Sequence, residues 1–111
     1  MTGVRPAVLI PTYNNSKTLS RVLERVLRYV ELGTVDEVLV VNDGSTDDTA
    51  AILERFGSRI RVYEHKRNRG KGAALRNGFR ILADSGFTHA ITLDSDGQLF
   101  ADDLPRFVEA I

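Results

Sequence analysis

The chain has 111 residues, with 15 basic and 15 acidic side chains, no cysteine and 42% hydrophobic residues. That is the size of one domain, able to bury a core without disulfides, and zero cysteine excludes a disulfide scaffold, a zinc–thiolate site and a cysteine nucleophile. A net charge of zero gives no global pull toward nucleic acid or an anionic membrane, and no apolar run approaches the roughly 18 residues that span a bilayer or the shorter core of a signal peptide. A cytoplasmic location is the expectation.

The first apolar run, Ala7-Val8-Leu9-Ile10, ends at Pro11 and reads as a buried strand. Leu19, Val22, Leu23, Val26, Leu27 and Val30 then recur at spacings of three and four, one stripe of an amphipathic helix that Asn15 or Ser16 can cap and Gly33 follows. Residues 37–41 form a second strand. Thr46 and Asp47 open a second helix, with Ala50, Ile52, Leu53 and Phe56 inward and Gly57 as its stop.

Residues 60–64 alternate and predict a third, more exposed strand. A helix over 71–83 follows, with Ala74, Leu75, Phe79 and Leu82 on its inner face and Gly86 beyond it. Residues 88–93 are the fourth strand. Asp102 or Asp103 caps a last helix with Pro105 in its first turn and Phe107, Val108 and Ile111 on its core side. Strand–helix alternation with apolar strands implies a Rossmann-like α/β fold: a mostly parallel sheet of about four strands with helices on both faces. Ligands of such sheets bind beyond the carboxyl ends of the strands.

All four strand ends are polar. After the fourth come Asp94-Ser95-Asp96-Gly97-Gln98. In extended chain the two Asp Cα atoms lie about 6–7 Å apart, too far for two short side chains to chelate one ion easily. A turn at Gly97 would draw Asp96 round, making Asp96 the firmer metal ligand and leaving Asp94 partly engaged elsewhere. Carboxylate oxygens suit Mg²⁺ or Mn²⁺, with phosphate oxygens completing the shell. Asp43, after the very apolar second strand, can accept from a base N–H; the bland alternative is an Asx turn in Asn42-Asp43-Gly44-Ser45-Thr46. Asn68-Arg69-Gly70-Lys71-Gly72 can serve an anion at a helix N-terminus, although it has neither Walker nor Gly-x-Gly-x-x-Gly spacing. His65 and His89 have no metal-ligand spacing to each other, and His89, inside a strand, reads as structural.

The four strand ends together resemble the nucleotide-sugar half of a family-2 glycosyltransferase, on the motifs Val8-Leu9-Ile10-Pro11-Thr12-Tyr13-Asn14, Val40-Val41-Asn42-Asp43-Gly44-Ser45-Thr46-Asp47, Asn68-Arg69-Gly70-Lys71-Gly72-Ala73-Ala74 and Leu93-Asp94-Ser95-Asp96-Gly97-Gln98. The branch resembled is that of polyprenol-phosphate (dolichol-phosphate-type) mannosyl- and glucosyltransferases. The resemblance implies a GT-A fold and a metal-dependent, inverting transfer of a hexose from a nucleotide diphosphate sugar to an acceptor such as polyprenyl phosphate. It assigns Pro11, Thr12 and Tyr13 to the nucleoside border, Asp43 to the base, Asn68, Gly70 and Lys71 to the nucleotide and its phosphates, and Asp94 and Asp96 to the ribose and a Mg²⁺ or Mn²⁺ ion. The chain ends after the first helix beyond Asp-x-Asp. The expectation is therefore a single donor-binding domain over 1–111, a fragment whose acceptor site, general base and membrane-attaching segments lie in a later half.

Two rivals come from other classes. One is a catalytically incomplete, self-associating α/β nucleotide-binding module, pairing through the fourth strand at the sheet edge. The other is a nucleotidyltransferase, which would want a Gly-rich, Arg-containing loop after the first strand; Pro11-Thr12-Tyr13-Asn14 is not one.

Overall fold

A computed structural model describes residues 3–96 and 101–111. The turn expected at Gly97 and the motif residue Gln98 lie outside the described residues. Four strands, β1 (Pro6–Thr12), β2 (Glu37–Asp43), β3 (Arg61–His65) and β4 (His89–Thr92), alternate with four helices, α1 (Ser16–Glu31), α2 (Thr49–Phe56), α3 (Lys71–Asp84) and α4 (Leu104–Glu109). The sheet runs β3-β2-β1-β4 with every pairing parallel. No described helix is long and apolar enough to cross a membrane.

The pleat sorts β1 onto two faces. Val8 and Ile10 join the core formed with α1, α2 and α4, through residues such as Leu19, Leu23, Leu53 and Leu104. Ala7 and Leu9 point the other way, with Leu39 and Val41 of β2, onto Ala74 and Leu82 of α3. A strand covered on both faces must be apolar at successive positions, hence the unbroken run in the sequence. Each fully buried Leu or Val contributes about 1.5–3 kcal/mol over an exposed one, and α1 buries five such residues along its stripe.

Two helix faces differ from expectation. On α3 the buried residues are Ala73, Ala74, Gly78 and Leu82, while Phe79 is 43% exposed. Small residues let this helix lie close to the sheet: a Cβ on Gly78 would sit 2.4 Å from Cδ1 of Leu9. Close approach, not bulk, selects the inner face, and Phe79 is turned outward. On the last helix Leu104 and the preceding Ala101 are buried, Val108 packs against the core, Phe107 is 40% exposed and Ile111 half-buried. Asp103 occupies the N-cap position without a side-chain cap bond, and Asp102 instead accepts from the Tyr29 hydroxyl at 2.8 Å and pairs with Arg25 at 3.4 Å.

The caps of the first two helices also serve the loops. Asn15 stands at the N-cap of α1, but its side-chain amide donates to Ser95 Oγ at 2.6 Å. Helix α2 starts at Thr49, later than expected, because Thr46 and Asp47 are held in the loop. Asn14 takes a left-handed backbone (φ 53°), and its Oδ1 accepts from the N–H groups of Thr46 (2.8 Å) and Asp47 (3.3 Å). Asp47 returns the brace, with Oδ2 accepting from Ser16 N–H at 3.1 Å and Oδ1 from the Thr49 hydroxyl and N–H at 2.5 and 3.0 Å. The loops after β1 and β2 are thus one cross-braced unit.

Two predictions follow from this packing. Gly78→Ala lowers the thermal midpoint, since an overpacking cost of about 1–3 kcal/mol exceeds the roughly 1 kcal/mol of helix propensity gained. Gly72→Ala, whose Cβ would meet only the mobile end of Arg76 at 3.3 Å, raises it. Separately, the Thr49 hydroxyl first, against a burial effect that opposes it, and then the Thr49 and Ser16 N–H groups hold Asp47 at about 2. A depressed carboxyl stabilises the fold above its unfolded value and loses that contribution as pH falls through the folded one. Resistance to urea should therefore weaken from about pH 4 to about pH 2, and Asp47→Asn, less stable at neutral pH, should show a shallower fall over that interval.

Candidate functional site

Strands β1, β2 and β3 are laid down in one direction, and α3, on the opposite face, carries the chain back to β4 on the far side of β1. The order reverses between β1 and β4, and in open α/β sheets the crevice outside the carboxyl ends at such a point is where ligands bind. The chain has a cleft of about 350 Å³ there. Pro11, Thr12 and Tyr13 line it from the end of β1, Asp43 from the end of β2, Asn68 and Lys71 from the β3–α3 connection, and Asp94 and Asp96 from beyond β4. Gly70 does not line it and acts from behind.

Asp43 organises the floor. It is 3% exposed, and its two oxygens receive four hydrogen bonds: His65 Nδ1 (2.7 Å) and Arg69 N–H (2.9 Å) on Oδ1, and Asn68 Nδ2 (3.0 Å) and Gly70 N–H (2.9 Å) on Oδ2. Burial pushes this carboxyl up, but the bonds from His65, Arg69 and Gly70 outweigh it and hold it below the ordinary carboxylate value. A carboxylate offers about four acceptor positions, so the expected contact with a base N–H would have to displace one of these donors. The loop is instead closed by Asn42, whose Oδ1 accepts from Ser45 N–H, three residues on, at 3.2 Å. Gly44 follows with φ 72°, and a Cβ there would lie 2.3 Å from the backbone of Arg67 and Asn68. The loops after β2 and β3 touch through a glycine because nothing larger fits.

Behind the Asp-Ser-Asp segment the middle residue is the anchor. Ser95 is buried, with its Oγ bonded by Asn15 and its carbonyl accepting from the Thr18 hydroxyl at 2.6 Å. The flanking carboxylates therefore face the cleft. Lys71, first residue of α3, places its ammonium 3.0 Å from Asp94 Oδ1. The pair is partly exposed and contributes little to stability; its significance is that a mobile cation and a carboxylate share the cleft. The partial engagement of Asp94 expected from the sequence is, in this structure, with Lys71. The N-terminus of α3 has no side-chain cap and no acidic residue in its first turn.

Among the described residues, the buried side-chain atom without a hydrogen-bond partner is Thr12 Oγ1, inside the cleft lining. Leaving a buried hydroxyl unmatched costs about 1–3 kcal/mol, so this atom is suited to a polar group that enters the cleft. No described group of three or more His, Asp or Glu is arranged to hold a metal by itself. Besides Asp43, whose oxygens are already taken, the cleft carries the carboxylates Asp94 and Asp96, hard-oxygen donors of the kind that suit Mg²⁺ or Mn²⁺ sharing its shell with water and phosphate.

Sequence reasoning missed His65 and its partner Asn77, whose Nδ2 lies 2.8 Å from His65 Nε2. The signal that could have found His65 is register: it is level with Asp43 on the neighbouring strand, and level residues of parallel strands share a face. His89, expected to be structural, stands exposed on edge strand β4, 2.9 Å from the Thr88 hydroxyl.

A family model described as glycosyl transferase family 2 matches residues 7–111. The undecaprenyl-phosphate 4-deoxy-4-formamido-L-arabinose transferase of Edwardsiella ictaluri is 37% identical over 109 residues, covering 94% of this chain and 33% of its own. A dolichyl-phosphate beta-glucosyltransferase of Trichomonas vaginalis is 31% identical over 112 residues, covering 93% and 32%. The chain thus spans about a third of the length of these curated relatives. Among solved structures, glucosyl-3-phosphoglycerate synthase from Mycobacterium tuberculosis, in complex with Mn²⁺, uridine diphosphate and phosphoglyceric acid, superposes with a TM-score of 0.68 at 31% identity over 84% of this chain and 33% of that one. The α/β sheet is accordingly that of a GT-A glycosyltransferase, and the chain belongs to glycosyl transferase family 2.

Proposed function

We propose that this chain is the donor-binding portion of an inverting glycosyltransferase that moves a hexose from a nucleotide diphosphate sugar to an acceptor, with polyprenyl phosphate as the acceptor class. The observation that carries the reading is the cleft at the β1–β4 reversal, where an unmatched buried hydroxyl, a lysine and two carboxylates meet. The relatives named as undecaprenyl- and dolichyl-phosphate transferases support the acceptor class, and the related structure in complex with Mn²⁺ and uridine diphosphate supports the donor.

In this reading Pro11 and Tyr13 border the nucleoside and Thr12 Oγ1 bonds it. The loop of Asn68 and Gly70 carries the nucleotide, and Lys71 leaves Asp94 to neutralise a phosphate oxygen. Asp94 and Asp96 would hold a Mg²⁺ or Mn²⁺ ion, which when bound stabilises the negative charge of the departing diphosphate. A phosphate acceptor is already ionised and needs less help from a general base than a hydroxyl does. The acceptor site and any general base are assigned to the part of the relatives that this chain does not span.

Titration calorimetry with UDP and GDP, with and without Mn²⁺, tests the reading. Binding of one nucleotide, strengthened by Mn²⁺, is expected; no binding of either at millimolar concentration with metal rejects it. Asp96→Ala should abolish the Mn²⁺ effect, whereas Asp103→Ala, at the start of α4 and outside the cleft lining, should leave it intact. A second reading, self-association, is favoured by β4, which lies at the edge of the described sheet with His89 and Ala90 exposed. Sedimentation should then show a concentration-dependent dimer, and a strict monomer at high concentration removes it.

A further inference from the structure

Asn77 lies between two groups that fix its orientation. Arg80 donates from Nη2 to Asn77 Oδ1, and a guanidinium can only donate. The amide oxygen therefore faces Arg80 and the NH₂ faces His65 Nε2 at 2.8 Å. An NH₂ also only donates, so Nε2 must accept with its lone pair, and the single ring proton sits on Nδ1. That proton points at Asp43 Oδ1, 2.7 Å away. The edge-on ring of Tyr63, centroid 5.6 Å away at 89°, flanks the same imidazole. Donation thus runs one way, from Arg80 through Asn77 and His65 to Asp43, where it meets donors from Asn68, Arg69 and Gly70.

His65 is buried and does not line the cleft, so any effect on a ligand must pass through Asp43. We propose that His65 is a positioning residue that, with its tautomer set by Asn77 and Arg80, holds Asp43 and the Asn68–Gly70 loop in the shape that receives a nucleotide diphosphate. The ligand half of this statement rests on the donor-site reading above; the loop half does not.

The test separates the two. A long-range ¹⁵N–¹H spectrum of the imidazole should show one ring proton, on Nδ1 of His65; a proton on Nε2 overturns the proposal. His65→Leu removes the donor, while His65→Asn keeps an N–H able to take the place of Nδ1. In the Leu variant, hydrogen exchange at the Arg69 and Gly70 amides should quicken by about tenfold or more. The Kd for UDP or GDP with Mn²⁺ should rise by a similar factor, and the Asn variant should bring both back to within about threefold of the original. A folded Leu variant with unchanged amide exchange overturns the proposal, as does one with faster exchange and unchanged affinity. If the unaltered protein binds neither nucleotide, the donor-site reading fails and amide exchange alone decides the positioning of the loop. Should His65→Leu fail to fold, Asn77→Asp answers the same question from half-buried α3. It offers Nε2 an acceptor: a proton gained there supports the proposal if exchange at Arg69 and Gly70 stays slow while Nδ1 keeps its proton, or quickens when Nδ1 loses it, and an unchanged spectrum, or exchange that does not follow the Nδ1 proton, overturns it.

Discussion

A carboxylate shut away from water must be answered by donors, and the end of β2 is organised by that requirement. Asp43 terminates the apolar run of β2 and is held on all sides by N–H groups. Three of its four donors come from consecutive residues, Asn68 to Gly70, so satisfying one charge shapes one loop. An unpaired charge there would be far more costly than the ordering of a few loop residues. The glycine at position 44 follows from the same demand, because the loop can close on Asp43 only if the neighbouring backbone has no side chain in the way.

The remaining loops are fixed by short polar side chains. Asn14 and Asp47 tie the loop after β1 to the loop after β2, and Asn15 and Thr18 reach across to Ser95 beyond β4. Connections that would be mobile in isolation are joined into a rim around the β1–β4 reversal. Within the rim, Lys71 from the end of a helix stands opposite Asp94 and Asp96, with Asp43 on the floor.

Most of the fold was legible because burial on two faces leaves a plain trace. Residues 7–10 and 38–41 had to be strands of a parallel sheet, and the stripe from Leu19 to Leu27 had to be a helix. The residues facing the cleft could be read as well, since each follows a strand. Illegible were the features that depend on distance between segments. Phe79 looked like core because hydrophobicity was the only guide, whereas the clearance over Leu9 admitted only glycine at the contact. His65 looked solitary because its partners, Asp43 and Asn77, are brought to it by register and by a helix turn. Ser95, the variable letter of its motif, was silent although its side chain and carbonyl anchor the whole segment.

The small inner face of α3 has a geometric consequence. A helix is stiff along its axis, and Gly78 lies about two turns, roughly 10 Å, from Lys71. Its clearance over Leu9 acts as a spacer that sets the height of the whole rod above the sheet. The first turn of that rod carries the lysine that meets Asp94. The depth of the cleft is thereby gauged at a contact in the dry interior, on the far face of the sheet from α1. A change of a single carbon there would be read out at the mouth, as a cation held too high to reach its partner.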